Sequence, residues 1–125
     1  MQTVPSKIKL HKQSQTLELQ YGEHTYQLPA EFLRVLSPSA EVRGHGKGQE
    51  VLQTGKINVR MDKIEAQGNY GLRITFNDFH DSGIYTWDYL AELCANQVTY
   101  WETYLDQLQK AGQGRDPDEQ AVRLL

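Results

Sequence analysis

The sequence predicts an α+β domain, and three observations carry that prediction. Apolar residues alternate in two separate regions, the spacing becomes helical after Trp87, and a glycine-rich polar stretch divides the two regions. The expected architecture is an antiparallel sheet of two hairpins plus a short strand. One short helix follows the first hairpin region, and two C-terminal helices pack on the sheet.

In the first region Ile8 and Leu10 face one way while Lys7, Lys9 and His11 face the other. After the polar QSQT, Leu17, Leu19 and Tyr21 resume the alternation, as in a hairpin with one wet face. A turn at Gly22 to His24 leads to a third strand ending at Pro29. Proline suits a first helical turn, and Phe32, Leu33 and Leu36 then share a face that Ser37 and Pro38 cut off. Arg43 to Gly55 holds four glycines and few apolar residues, which predicts a surface loop.

Beyond that loop Ile57, Val59 and Met61 alternate, followed by Ile64 and Ala66, a turn at Gly68 and Asn69, and Leu72, Ile74 and Phe76. This predicts a second hairpin continuing the same sheet. The polar corner NDFHDSG leads to Ile84 and Tyr85, and Trp87, Leu90, Leu93 and Cys94 then line one side of a helix. Trp101, Tyr104, Leu105 and Leu108 mark the last helix, which stops at Gly112. Residues 1–111 form the expected single domain, and 112–125 a flexible, charged tail whose Ala121, Val122, Leu124 and Leu125 could dock on a partner.

Sixteen acidic residues against thirteen basic ones give a formal charge of −3, so no overall field draws the chain to nucleic acid or an anionic membrane. No apolar run approaches the roughly 20 residues of a membrane helix, and MQTVPSKIK lacks the apolar centre of a secretory signal. The expected location is cytoplasmic. Cys94 stands alone, so it forms no internal disulfide, and its place on an apolar helix side makes it a buried hydrophobe rather than a nucleophile. The basic face of Lys7, Lys9, His11 and Lys12 lacks stacking aromatics and reads as a solvated sheet edge.

Glu41, His45, Asp78, His80 and Asp81 are all residue types that ligate zinc or iron. Their spacing matches no metal motif, and a site would need the central loop to fold back on the 76–83 corner. Ser37, Ser39 and Ser82 are turn or cap residues by context, not a nucleophile elbow. GHGKG matches neither common phosphate-binding glycine loop.

Two stretches are more specific: LPAEFLRVLSPSAEVRGHG, Leu28 to Gly46, and ITFNDFHDSGIYTWDYL, Ile74 to Leu90. Together they resemble the gamma-butyrobetaine hydroxylase-like N-terminal domain family, a domain of unknown function common as a short stand-alone bacterial protein. The resemblance implies a compact α+β domain. It implies no catalysis by itself, because in the hydroxylases the reaction belongs to a separate C-terminal oxygenase domain. It also implies a position for a structural zinc, held in the hydroxylases by three cysteines and one histidine. Those positions fall here on Ser37, Ser39, Val42 and His80, so three of the four ligands are replaced and no zinc of that type is expected. Related domains occur fused to P-loop ATPases carrying iron–sulfur clusters, which implies an accessory role in iron–sulfur or metal metabolism.

The leading expectation is a non-catalytic binding or adaptor module for an unidentified protein partner, one candidate class being iron–sulfur assembly. Its surface would be the corner where Glu41, Arg43 and His45 approach Asp78, His80 and Ser82. Two other readings stand beside it. One is a metal-binding protein or small metal-dependent enzyme holding iron or zinc through His45 and His80; the other is a structural interaction domain working through an exposed sheet edge.

Overall fold

The computed structural model describes residues 3–44 and 48–118. The chain opens with β1 (Lys7–His11), β2 (Thr16–Tyr21) and β3 (His24–Pro29), antiparallel neighbours in that order. Leu17 stands across from Leu10 on one side and Leu28 on the other. The alternation that places it there also buries Leu17, Leu19 and Leu28 completely. Pro29 starts α1 (Ala30–Val35), and one further turn, α2 (Ala40–Arg43), is closed by Gly44 at a positive φ of 72°.

The second hairpin does not continue the first sheet. The strands β4 (Met61–Gln67), β5 (Gly71–Phe76) and β6 (Ile84–Thr86) form a separate three-stranded antiparallel sheet. The inner faces of both sheets meet in one core, where Leu17, Leu19 and Leu28 join Met61, Leu72, Ile74 and Phe76 around Phe32 and Leu33. Tyr85 on β6 is fully buried in the same core and donates its hydroxyl proton to the carbonyl of Leu33.

The expected strand at Ile57 starts only at Met61. Ile57 is exposed, its N–H donates to the carbonyl of Arg115 at 2.9 Å, and Arg60 pairs with Asn77 through the Asn77 backbone N–H and side-chain carbonyl, so the chain turns before the ladder begins. The helices α3 (Trp87–Ala95) and α4 (Gln97–Ala111) follow as the spacing predicts. Thr86 caps α3 by accepting from the N–H of Tyr89, and Gly112 ends α4 in the left-handed conformation at φ 67° and ψ 30°. The inner stripe of α4 is narrower than expected. Tyr104 and Leu108 are buried with Val35 in a second cluster, while Leu105 is exposed. Among the described residues no helix is long and apolar enough to cross a membrane.

The expected free tail is tied down as far as Asp118. The guanidinium of Arg115 forms a two-pronged ion pair with Glu31, at 2.7 and 2.8 Å, and lies 5.1 Å over the Trp101 ring. Gly114 also accepts a backbone hydrogen bond from Gly55. Burying the Glu31 carboxylate on α1 requires a fixed cation, and Arg115 supplies it with matched geometry. The apolar end at Ala121, Val122, Leu124 and Leu125 lies outside the described residues. Arg115→Ala strands this buried carboxylate, so urea unfolding is expected to show a loss of about 2 kcal/mol; an unchanged midpoint would contradict the docked arrangement.

Candidate functional site

The site is built around His80. Strand β5 ends at Phe76, and the chain reverses over residues 77–80 so that the N–H of Phe76 donates to the carbonyl of His80. The reversal places Phe79 at a positive φ of 67°, a left-handed conformation that costs a bulky residue roughly 1–2 kcal/mol. It sends the ring of Phe79 into solvent, 98% exposed, and the ring of His80 inward, 4% exposed and beside Phe76.

Both ring nitrogens of His80 are occupied. Nε2 lies 2.7 Å from the hydroxyl of Ser37 and 3.3 Å from that of Ser39, on the extended link between α1 and α2. Nδ1 lies 3.2 Å from Oε2 of Glu41, in the first turn of α2. A carboxylate only accepts, so Nδ1 carries the proton and Nε2 accepts from a serine hydroxyl. Burial lowers the pKa of His80, and the charge of Arg34 lowers it further; Glu41 and Asp78 oppose this without overcoming it. The imidazole is therefore neutral at neutral pH. Gly83 closes the corner: a β-carbon there would stand 2.5 Å from the Ser37 hydroxyl and 3.1 Å from the Pro38 ring.

Asp78 serves a neighbouring network. Its Oδ2 accepts from Lys56 at 2.6 Å and Arg34 at 2.9 Å, and its Oδ1 from the N–H of His80 at 3.3 Å. Burial pushes this carboxyl up, but the Lys56 hydrogen bond and the nearby Arg34 outweigh it and hold the pKa below the usual carboxylate value. Arg34 also reaches the side chain of Gln53 at 3.0 Å.

Of the residues singled out in the sequence, Glu41, Asp78 and His80 come together. Arg43 turns away and lies 4.6 Å over the ring of Tyr89, Ser82 is exposed outside the hydrogen bonds around His80, and His45 lies outside the described residues. Arg34 and Lys56 carry no local signal in the sequence, because they lie 44 and 22 positions from Asp78. Cys94 is buried, and burial pushes its thiol up to about 11, which leaves it unreactive.

Beside the corner runs a cleft of about 1040 Å³. Its floor includes Val35, Leu36, Val42 and Leu52, and Arg43, Tyr100 and Tyr104 stand along it. Val42 forms part of this wall, and Ser37 lies where the cleft meets the His80 corner.

Ser37, His80 and Glu41 follow the order of an activated serine, its base and a carboxylate. However, Ser37 is only 1% exposed and enclosed by Pro38 and Gly83, so no substrate carbonyl can reach its hydroxyl. Nor do these donors fit the thiolate-rich zinc site that the resemblance implies: two neutral hydroxyls and a valine replace the thiolates, and both nitrogens of His80 are bonded. Among the described residues no group of three or more histidine, cysteine, aspartate or glutamate side chains could hold a metal ion.

The family model described as gamma-butyrobetaine hydroxylase-like, N-terminal, matches residues 8–91. The chain belongs to this family. No curated protein matches it. Among solved structures it is similar to a protein determined in solution by NMR, at 56% identity and a TM-score of 0.84, over 98% of this chain and 97% of that one. A second NMR structure is 41% identical with a TM-score of 0.76, over 97% and 92% of the two chains. A crystal structure of a protein of unknown function from Acidithiobacillus ferrooxidans, in the DUF971 family, is 33% identical with a TM-score of 0.62, over 74% of this chain and 94% of that one. The gamma-butyrobetaine hydroxylase-like domain here thus shares its fold with these proteins, two of which match over nearly its whole length.

The lowered pKa of His80 sets a pH dependence. Above the ordinary imidazole value of about 6.5 both folded and unfolded states are neutral and the full stability is present. As pH falls through that value the unfolded chain takes up a proton that the folded corner resists, so stability drops until the lowered folded-state pKa is passed. Urea unfolding from about pH 8 to pH 5 is expected to show this decline in the native chain and a shallower one in His80→Gln. Parallel profiles would contradict a neutral, buried His80.

Proposed function

We propose that this chain is a non-catalytic binding module and that the cleft beside the His80 corner is its recognition surface. The observation that carries the reading is the cleft itself: an apolar floor with aromatic walls and the exposed guanidinium of Arg43 at its edge, next to a serine–histidine array sealed from substrate. Such a lining binds an apolar side chain from a partner and orients it through one charge. Arg43 is fit for this because stacking on Tyr89 holds its planar fork in place at an exposed position beside the cleft, where a carboxylate can meet it. The reading takes a protein as the partner, with iron–sulfur or metal metabolism as the setting that the family resemblance suggests.

A photo-crosslinking residue at Thr103, exposed on the cleft wall, should trap a partner in extract of the native host. Arg43→Ala and Val51→Asp, both at exposed positions, should each cut the trapped yield about tenfold while the melting temperature stays within about 2 °C. Equal yields from all three proteins would overturn the reading. So would stoichiometric zinc or iron in protein purified without chelator and lost on His80→Ala, which would assign the corner to a metal.

A further inference from the structure

We propose that this protein self-associates as a two-fold dimer in which Phe79 of each copy enters the cleft of the other. The inference rests on the reading of the cleft as a recognition surface and names its occupant. Phe79 is the most exposed large apolar residue among those described, at 98%, and its backbone is held at φ 67°. An aromatic ring in that position gains nothing from its own chain, whereas glycine or asparagine would occupy the turn without strain.

The turn beneath it is rigid. Asn77 is bonded to Arg60, Asp78 to Arg34 and Lys56, and His80 to Ser37 and Glu41, so Phe79 is presented on a fixed pedestal. A fixed aromatic loses little entropy when it enters a pocket, as binding anchors require.

The cleft of a second copy suits this ring. It has room for a phenylalanine among Val35, Val42 and Leu52, and it adjoins the knob, because His80 follows Phe79 and bonds Ser37 on the cleft wall. A knob and a hole tied together through one hydrogen-bonded corner of the same chain allow a two-fold, self-complementary contact. Charge agrees as well: Asp81 is exposed two residues from Phe79 and the exposed Glu41 is bonded to the neighbouring His80, Asp78 being countered by two cations, while the cleft lining carries Arg43 and Lys110 against Glu50.

Sedimentation equilibrium of the full chain from about 10 µM to about 1 mM should show a monomer–dimer equilibrium. Phe79→Gly should weaken it about thirtyfold or more and, by relieving the turn, melt about 3 °C higher as a monomer. Val51→Asp, on the cleft wall, should also be monomeric. Mixing the two variants restores one knob and one cleft in a single pair, so a mixed dimer should form where neither variant pairs alone. A wild-type chain that stays monomeric throughout, or a Phe79→Gly chain that associates like wild type, overturns the dimer. If Val51→Asp nevertheless loses the cross-linked host partner, only the dimer falls and the binding reading stands.

Discussion

The two nitrogens of His80 hold one corner of this domain together. α2 is a single turn of four residues, too short to persist on helix propensity alone. Its position comes from outside: Ser37 and Ser39 before it and Glu41 within it are bonded to one imidazole on the 77–80 turn, and Val42 is packed beneath. The same imidazole joins two stretches about forty residues apart in sequence, so the loop between the sheets and the turn after β5 form one corner. The joining is done by hydrogen bonds: those among the buried Ser37, Ser39 and His80 lie in a nearly water-free space, where each is strengthened and an unpaired group would be costly, and the one to Glu41 reaches a carboxylate at the surface.

The clamp accounts for the close fit around it. Gly83 lets β6 approach Ser37, and Tyr85 on β6 fills the core and bonds the carbonyl of Leu33 at the end of α1. Two independent contacts thus fix the link from α1 to α2 against the second sheet. Arg34, on the last turn of α1, bonds Asp78 and Gln53 and carries this rigidity to the far side of the turn. The cleft inherits its shape from these anchors, since Val35, Ser37 and Val42 along its wall are held by the clamped segment.

Much of the fold was legible in the sequence because period and punctuation are local. Leu17 and Leu19 read as one face, Pro29 as a helix start and Gly112 as a helix end, and each is found so. Period two encodes which face a residue occupies but not which strand lies beside it, so one sheet and two sheets facing a common core give the same pattern. Arg115 looked like tail charge because its partner, Glu31, lies 84 residues away. The meeting of Ser37, Ser39 and His80 was legible only through the family resemblance; their hydrogen bonds, and the inward charges of Arg34 and Lys56, depend on tertiary geometry that no spacing rule carries.

The charges around the corner are divided between its interior and its surface. Asp78 faces two cations and keeps its proton off, so that cluster carries a fixed charge, one negative against two positive. His80 is kept neutral by burial and by Arg34, and it donates to Glu41 without forming a full ion pair at neutral pH. Glu41 therefore keeps its negative charge on the surface, and Arg43, two residues on, keeps its positive charge over Tyr89. α2 thus presents opposite charges on its two sides, one beside His80 and one toward the cleft. A neutral imidazole is what preserves that polarity: protonated, it would cancel the carboxylate and leave the turn with a single sign.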